Sequence, residues 1–110
     1  MAEMSLSEML KEESTPELTV EMIQRKVADF YNIRFSDMTS KRRLASIVLP
    51  RQVAMFLARK LMKVSYPELG DQFSRNHATI LHAVNSIEER MKANQDFSRE
   101  MAMLEKKFRP

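Results

Sequence analysis

The chain contains no cysteine, which excludes disulfides, cysteine-based zinc sites and thiol catalysis together, and a reducing compartment is expected. It has a single glycine and four prolines. Hairpin turns usually need glycine at positive φ, so a β-rich or loop-rich fold is disfavoured. No apolar run approaches the roughly 20 residues of a membrane-spanning helix. The acidic N-terminus is unlike a secretory signal. A soluble, cytoplasmic protein without membrane partners is expected. The sequence also lacks a Gly-rich phosphate loop, paired carboxylates and any nucleophile–base arrangement, so neither an enzyme nor a small-molecule substrate is expected. His77 and His82 stand about 140° apart around a helix and cannot share a metal from one face. No metal site is expected.

What is present is helix-forming. Met, Leu, Ala, Glu, Lys and Arg dominate a chain of 110 residues that is 44% hydrophobic, enough for one small core. The expected class is all-α, a small domain of about six helices. Charge is strongly segregated. Residues 1–21 carry six acids against Lys11 alone, whereas Lys41, Arg42, Arg43, Arg51, Arg59, Lys60 and Lys63 fall in a stretch with no acid. Such a stretch repels itself and makes physical sense beside a polyanion. A solvated helix face is the alternative. The ten methionines are expected to fill core positions more than to form a sticky surface.

Residues 1–17 read as an acidic flexible linker or tail, with Ser5 to Glu13 at most a marginal helix. Residues 18–110 form the domain. Val20, Ile23, Val27 and Phe30 predict a first helix from about Thr19, its N-cap, to Tyr31. A short helix from Phe35 to about Ser40 leads into a basic loop, Ser40 to Ser46. Pro50 is expected in the first turn of a third helix ending near Val64, with Val53, Phe56, Leu57 and Leu61 as its buried stripe and its basic residues off it. Ser65 and Glu68 have the spacing of a capping box and start a fourth helix, Tyr66 to about Phe73. Ser74, Arg75 and Asn76 make a tight turn. Asn76 caps a fifth helix with Ile80, Val84, Ile87 and Met91 on one face. Phe97, Met101, Leu104 and Phe108 mark a last helix from about Gln95. The lone glycine, Gly70, falls inside the fourth helix, where close helix–helix approach or a local helix end would explain it. His82 is expected to be packed or half-buried, and Glu88, Glu89, Asp96, Glu100 and Glu105 exposed.

A short capped helix, a tight turn and a longer amphipathic helix form a helix-turn-helix over Ser65 to Met91; a plain helical hairpin is the alternative. The second helix of such a unit sets its first residues against base edges in the major groove. Here these are Asn76, His77, Ala78 and Thr79. They offer donors, acceptors and a methyl, with no acid to repel phosphate.

Several linked segments then carry a family resemblance. Ser40-Lys-Arg-Arg43, Pro50-Arg-Gln52, Ser65-Tyr-Pro-Glu-Leu-Gly-Asp71 and Asn76-His-Ala-Thr-Ile-Leu-His-Ala83 resemble, in order and spacing, the DNA-binding domain of bacterial DnaA replication initiators. The opening Leu18 to Gln24 resembles how that domain begins, and the likeness extends to Phe108. It implies sequence-specific binding of double-stranded DNA at DnaA-box-like repeats of a replication origin, by a domain that is monomeric in isolation. It implies that Arg43 enters an A·T-rich minor groove, that Arg51 reads a base in the major groove, and that Gln52 binds phosphate beside it. Lys41, Arg42 and Arg59 fall at basic positions suited to the DNA backbone, and Pro67 where the first motif helix approaches phosphate. Asn76, His77, Ala78 and Thr79 occupy the recognition signature. That signature usually reads Asp-His-Thr-Thr or Asp-His-Ser-Thr, and the turn before it usually contains glycines. Here it reads Asn-His-Ala-Thr, after a turn that has no glycine and is one residue shorter. No cofactor is implied for this chain; an ATP-binding AAA+ domain precedes such a domain in a full-length initiator. A helical module binding an acidic protein is the competing function. Steep salt dependence and preference for one box over scrambled duplex would separate the two.

Overall fold

The computed structural model describes residues 18–108, and the expectations for the acidic tail, including its marginal helix, fall outside them. The described residues form five α-helices and one 3-10 turn with no strand: α1 Val20–Tyr31, the 3-10 turn Phe35–Met38, α2 Ala45–Leu61, α3 Tyr66–Phe73, α4 His77–Ala93 and α5 Gln95–Lys106. The all-α architecture of about six helical segments is therefore present.

Local chemistry sets most of the ends. Thr19 Oγ1 accepts from the Met22 amide at 3.1 Å and caps α1. Ser65 Oγ accepts from the Glu68 amide at 3.2 Å, so the serine half of the capping box forms. Asn76 and Asn94 cap α4 and α5 through their side-chain oxygens. Asn32 and Ser74 close α1 and α3 in the left-handed conformation. After α3, the Arg75 amide donates back to the Gly70 carbonyl at 2.8 Å, the long bond of a Schellman closure.

The predicted stripes point inward. Ile23, Val27, Val53, Leu57, Ile80 and Leu104 are fully buried in one continuous core. α2 is central, packed most heavily against α4 and α1. Of the seven described methionines, Met38, Met55 and Met101 are buried, three are half-buried, and only Met103 is exposed.

Five expectations need correction. α2 begins at Ala45, so Pro50 is its sixth residue and lies inside the helix rather than in its first turn. The Ile47 and Val48 amides already bond the Leu44 carbonyl, and proline forfeits only the bond to Ser46, an exposed residue. α2 also ends at Leu61, where Met62 turns extended, rather than near Val64. The segment after Phe35 is a single 3-10 turn that stops at Met38, with Asp37 Oδ2 accepting from the Arg34 amide. His82 is exposed on the outer face of α4. Glu100 and Glu105 are half-buried, because Glu100 accepts from the Tyr31 hydroxyl at 3.0 Å and Glu105 pairs with Lys60 at 2.9 Å.

Gly70 has a clear reason. A Cβ there would collide with the Arg75 carbonyl oxygen and meet the backbone of Asn76 and His77 at 3.4 Å. Close approach is the cause, but it is to the turn before α4 rather than to the body of a helix.

Candidate nucleic-acid interface

The first turn of α4 is open to solvent. Asn76, His77, Ala78 and Thr79 are all exposed, while Ile80 behind them is fully buried and fixes the helix to the core. Asn76 Oδ1 accepts from both the amide and the hydroxyl of Thr79, at 2.9 and 3.1 Å. Asn76 thus caps α4 through its oxygen, and its amide nitrogen makes no bond among the described residues. There is no acid in this first turn, so the helix N-terminus keeps its partial positive charge.

The basic loop lies beside it. Lys41, Arg42 and Arg43 are exposed. Arg42 is loosely paired with Asp37 at 3.8 Å. Arg43 makes no hydrogen bond or ion pair among the described residues. Lys41, Arg43, Arg51, Ser74, Arg75 and Thr79 line one open cleft of about 430 Å³, so the fold brings the loop and the start of α4 to a common surface.

Arg51 is placed otherwise than a groove-reading side chain. It is only 5% exposed. Its Nε donates to the Asp37 carbonyl at 3.1 Å, and its Nη2 to Ser40 Oγ and the Arg42 carbonyl at 3.2 and 3.0 Å. Burial, then the nearby Arg75 charge, push its pKa below the ordinary arginine value, and Asp37 pulls it back. In this conformation Arg51 holds up the loop from beneath. Its neighbour Gln52 is half-buried.

Arg59 is eight residues further along α2, roughly 12 Å away by helical rise. It is exposed, donates to the Val64 carbonyl at 2.7 Å, and lies over the Tyr66 ring at 4.3 Å. Beside it, Pro67 stands in the first turn of α3 and is exposed. The exposed predicted residues therefore fall into two groups. Lys41, Arg42, Arg43 and the start of α4 form one; Arg59 and Pro67 form the other, at the far end of α2.

Arg75 was not among the predicted residues. It is half-buried, and its guanidinium donates to the carbonyls of Phe73, Ser74 and Ser40. The only sequence signal was a cation placed inside the turn itself.

Among the described residues no cluster of His, Asp or Glu could hold a metal, and no helix is long and apolar enough to cross a membrane.

Comparison with known proteins agrees with this geometry. The family model described as bacterial dnaA protein helix-turn-helix matches residues 20–87. The chromosomal replication initiator protein DnaA of Bordetella pertussis is 50% identical over 93 residues, covering 84% of this chain and 20% of that protein. Its counterpart in Methylacidiphilum infernorum is 45% identical over 94 residues, covering 84% and 21%. The chain thus spans about a fifth of the length of the curated relatives it matches. A crystal structure of a DNA replication initiation factor superposes with a TM-score of 0.73 at 32% identity, covering 80% of this chain and 27% of that one. With its motif helices, the glycine beneath their turn and the match over 20–87, the chain belongs to the bacterial DnaA helix-turn-helix family.

Proposed function

We propose that this domain binds double-stranded DNA sequence-specifically, at DnaA-box-like repeats of a replication origin, and serves initiation of chromosomal replication. The observation that carries the reading is the shared cleft: an exposed, acid-free helix N-terminus and an Arg43 with no partner among the described residues open onto one surface. α4 enters the major groove by its first turn, where His77 and the Asn76 amide meet base edges, the Ala78 methyl meets thymine, and Thr79 meets a base or phosphate. Arg43 enters the adjacent minor groove, where a narrow A·T-rich stretch concentrates negative potential. Lys41, Arg42, Gln52 and Arg59 serve the phosphates, and Pro67 brings the start of α3 against the backbone.

The domain acts as a monomer in the cytoplasm and performs no chemistry of its own. ATP binding and hydrolysis, in a full-length initiator, belong to an AAA+ domain ahead of this one.

Selection of bound sequences from random duplexes, followed by titration against salt, tests this. The expected result is one enriched box, bound more tightly than scrambled duplex by about a thousandfold or more, the low end of the range for specific binders. Affinity should fall steeply with salt as phosphate contacts release counterions. Equal affinity for selected and scrambled duplex would refute the reading, as would preference for an acidic protein over any duplex.

A further inference from the structure

The loop that carries Arg43 is gripped from two sides. From below, Arg51 bonds the Asp37 carbonyl, Ser40 Oγ and the Arg42 carbonyl. From the side, Arg75 bonds the Ser40 carbonyl. Ser40 also ties itself in, its hydroxyl donating to the Asp37 carbonyl and accepting from the Arg42 amide, each at 3.4 Å. The backbone oxygens of Asp37, Ser40 and Arg42 are thus held by two guanidinium groups, and Arg43 is the next residue. Arg75 is fixed at its other end too. Its amide bonds the Gly70 carbonyl, its own carbonyl rests on Gly70, and its guanidinium also holds the Phe73 and Ser74 carbonyls. The same residue therefore closes the turn that aims α4 and holds the loop that presents Arg43.

We infer that Arg75 is a positioning residue that locks the Arg43 loop and the recognition helix into one rigid reading head. The inference rests on the reading of Arg43 as the minor-groove residue. Its physical content is preorganisation. A loop ordered before binding does not lose its conformational entropy at the moment of contact, and two elements held in register meet adjacent grooves together. A planar fork of five N–H donors suits three carbonyls at once, and a single ammonium does not. Arginine is needed for its shape more than for its charge. The competing role is direct: Arg75 releases Ser40 and binds a phosphate itself.

Arg75→Lys separates the two roles, because it keeps the charge and loses the fork. Binding is measured by fluorescence anisotropy on three duplexes over a salt series: the selected box, the box with its A·T-rich minor-groove step changed to G·C, and a scramble. For a positioning residue, Arg75→Lys weakens the box by about five- to tenfold, the scale of ordering one or two side chains on binding. Scrambled binding and the salt slope stay unchanged. The loss disappears on the G·C-changed box and in the Arg43→Ala background, where Arg75→Lys adds less than about twofold. Ser40→Ala keeps the carbonyl that Arg75 holds but removes the loop's hydroxyl contacts to Asp37, Arg42 and Arg51. It shows the same pattern at smaller size, and an unchanged box affinity there would overturn the preorganisation of the loop even if Arg75→Lys unfolds. For a phosphate ligand, Arg75→Lys resembles wild type, whereas Arg75→Ala weakens all three duplexes and lowers the salt slope by about one. That outcome overturns the inference, as does additivity of Arg75→Lys with Arg43→Ala. If wild type fails to distinguish box from scramble, the DNA-binding reading has failed rather than the positioning role.

Discussion

Gly70 is where a single methyl group has the most to disturb. In Gly70→Ala the added Cβ would collide with the Arg75 carbonyl oxygen and sit 3.4 Å from backbone atoms of Asn76 and His77. All three neighbours are main-chain, so no rotamer change relieves the collision. The turn must lift away from α3. Gly70 has no positive φ, so alanine is locally the better helix residue by about 1 kcal/mol. Against that gain stand an overpacking cost of about 1–3 kcal/mol and strain on the 2.8 Å bond from the Arg75 amide to the Gly70 carbonyl. A net bond of that kind contributes about 1 kcal/mol. The expected outcome is a loss of about 1–3 kcal/mol, or a melting point lower by roughly 5–20 °C for a domain of this size. Because Arg75 moves with the turn, DNA recognition should suffer beyond stability. Box affinity measured well below the melting point should fall at least tenfold, the factor that about 1.4 kcal/mol produces, with scrambled binding little changed. Thermal denaturation by circular dichroism, paired with titration of both duplexes, checks both halves. An alanine variant as stable as wild type would refute the steric argument. A destabilised variant with full box affinity would refute the link from the turn to the aim of α4.

Three further predictions follow from single residues. Ala78→Thr restores the hydroxyl usual in the family and should tighten binding to a standard DnaA box by about 0.5–1.5 kcal/mol, leaving scrambled duplex unchanged; weaker box binding would mean that the shortened turn has re-aimed α4. Ser74 holds φ 56 at the end of α3, where a side chain is strained, so Ser74→Gly should raise stability by about 0.5–1 kcal/mol in urea denaturation, and a loss would contradict the strain. Burial, and then the Glu100 hydrogen bond and charge, raise the Tyr31 pKa, while Arg90 opposes them. The folded chain therefore holds that proton after the unfolded chain has released it. The contribution is whole below the usual tyrosine value of about 10 and is lost as pH rises beyond it. Tyr31→Phe should cost about 1–2 kcal/mol at neutral pH by leaving Glu100 without its donor. It should also flatten the alkaline decline in stability, and an unchanged decline would show that other groups govern it.

The parts legible in the sequence were those written in local chemistry. Thr19, Ser65 and Asn76 cap the helices that their spacing implied, since a cap needs only its own residue and an amide three positions on. The outer helices α1, α4 and α5 each bury one face, and a single apolar stripe at 3.6-residue spacing is a strong signal. The central helix α2 is different. It buries Ile47, Arg51, Ala54 and Ala58 along one line as well as Val53, Phe56 and Leu57 along another. Only the second line was apolar enough to be noticed, and the β-branched run before Pro50 gave no helical start.

Arg51 and Arg75 show where the sequence ceases to speak. An arginine off the apolar stripe of a basic helix looks solvent-facing, because burying a guanidinium needs several acceptors at once. Those acceptors exist here, but apart from the Ser40 hydroxyl they are main-chain carbonyls, of residues 37 and 42 for Arg51 and of 40, 73 and 74 for Arg75. Every residue has a carbonyl, so no residue type marks the ones that will converge. The convergence needs a 3-10 turn that ends at Met38, a helix that begins at Ala45, and a glycine that lets the α3–α4 turn come close enough. Residues that would touch DNA stand out by chemistry, because a groove selects for side chains. Residues that hold those side chains in place are chosen by backbone geometry, and that becomes visible only when the chain is folded.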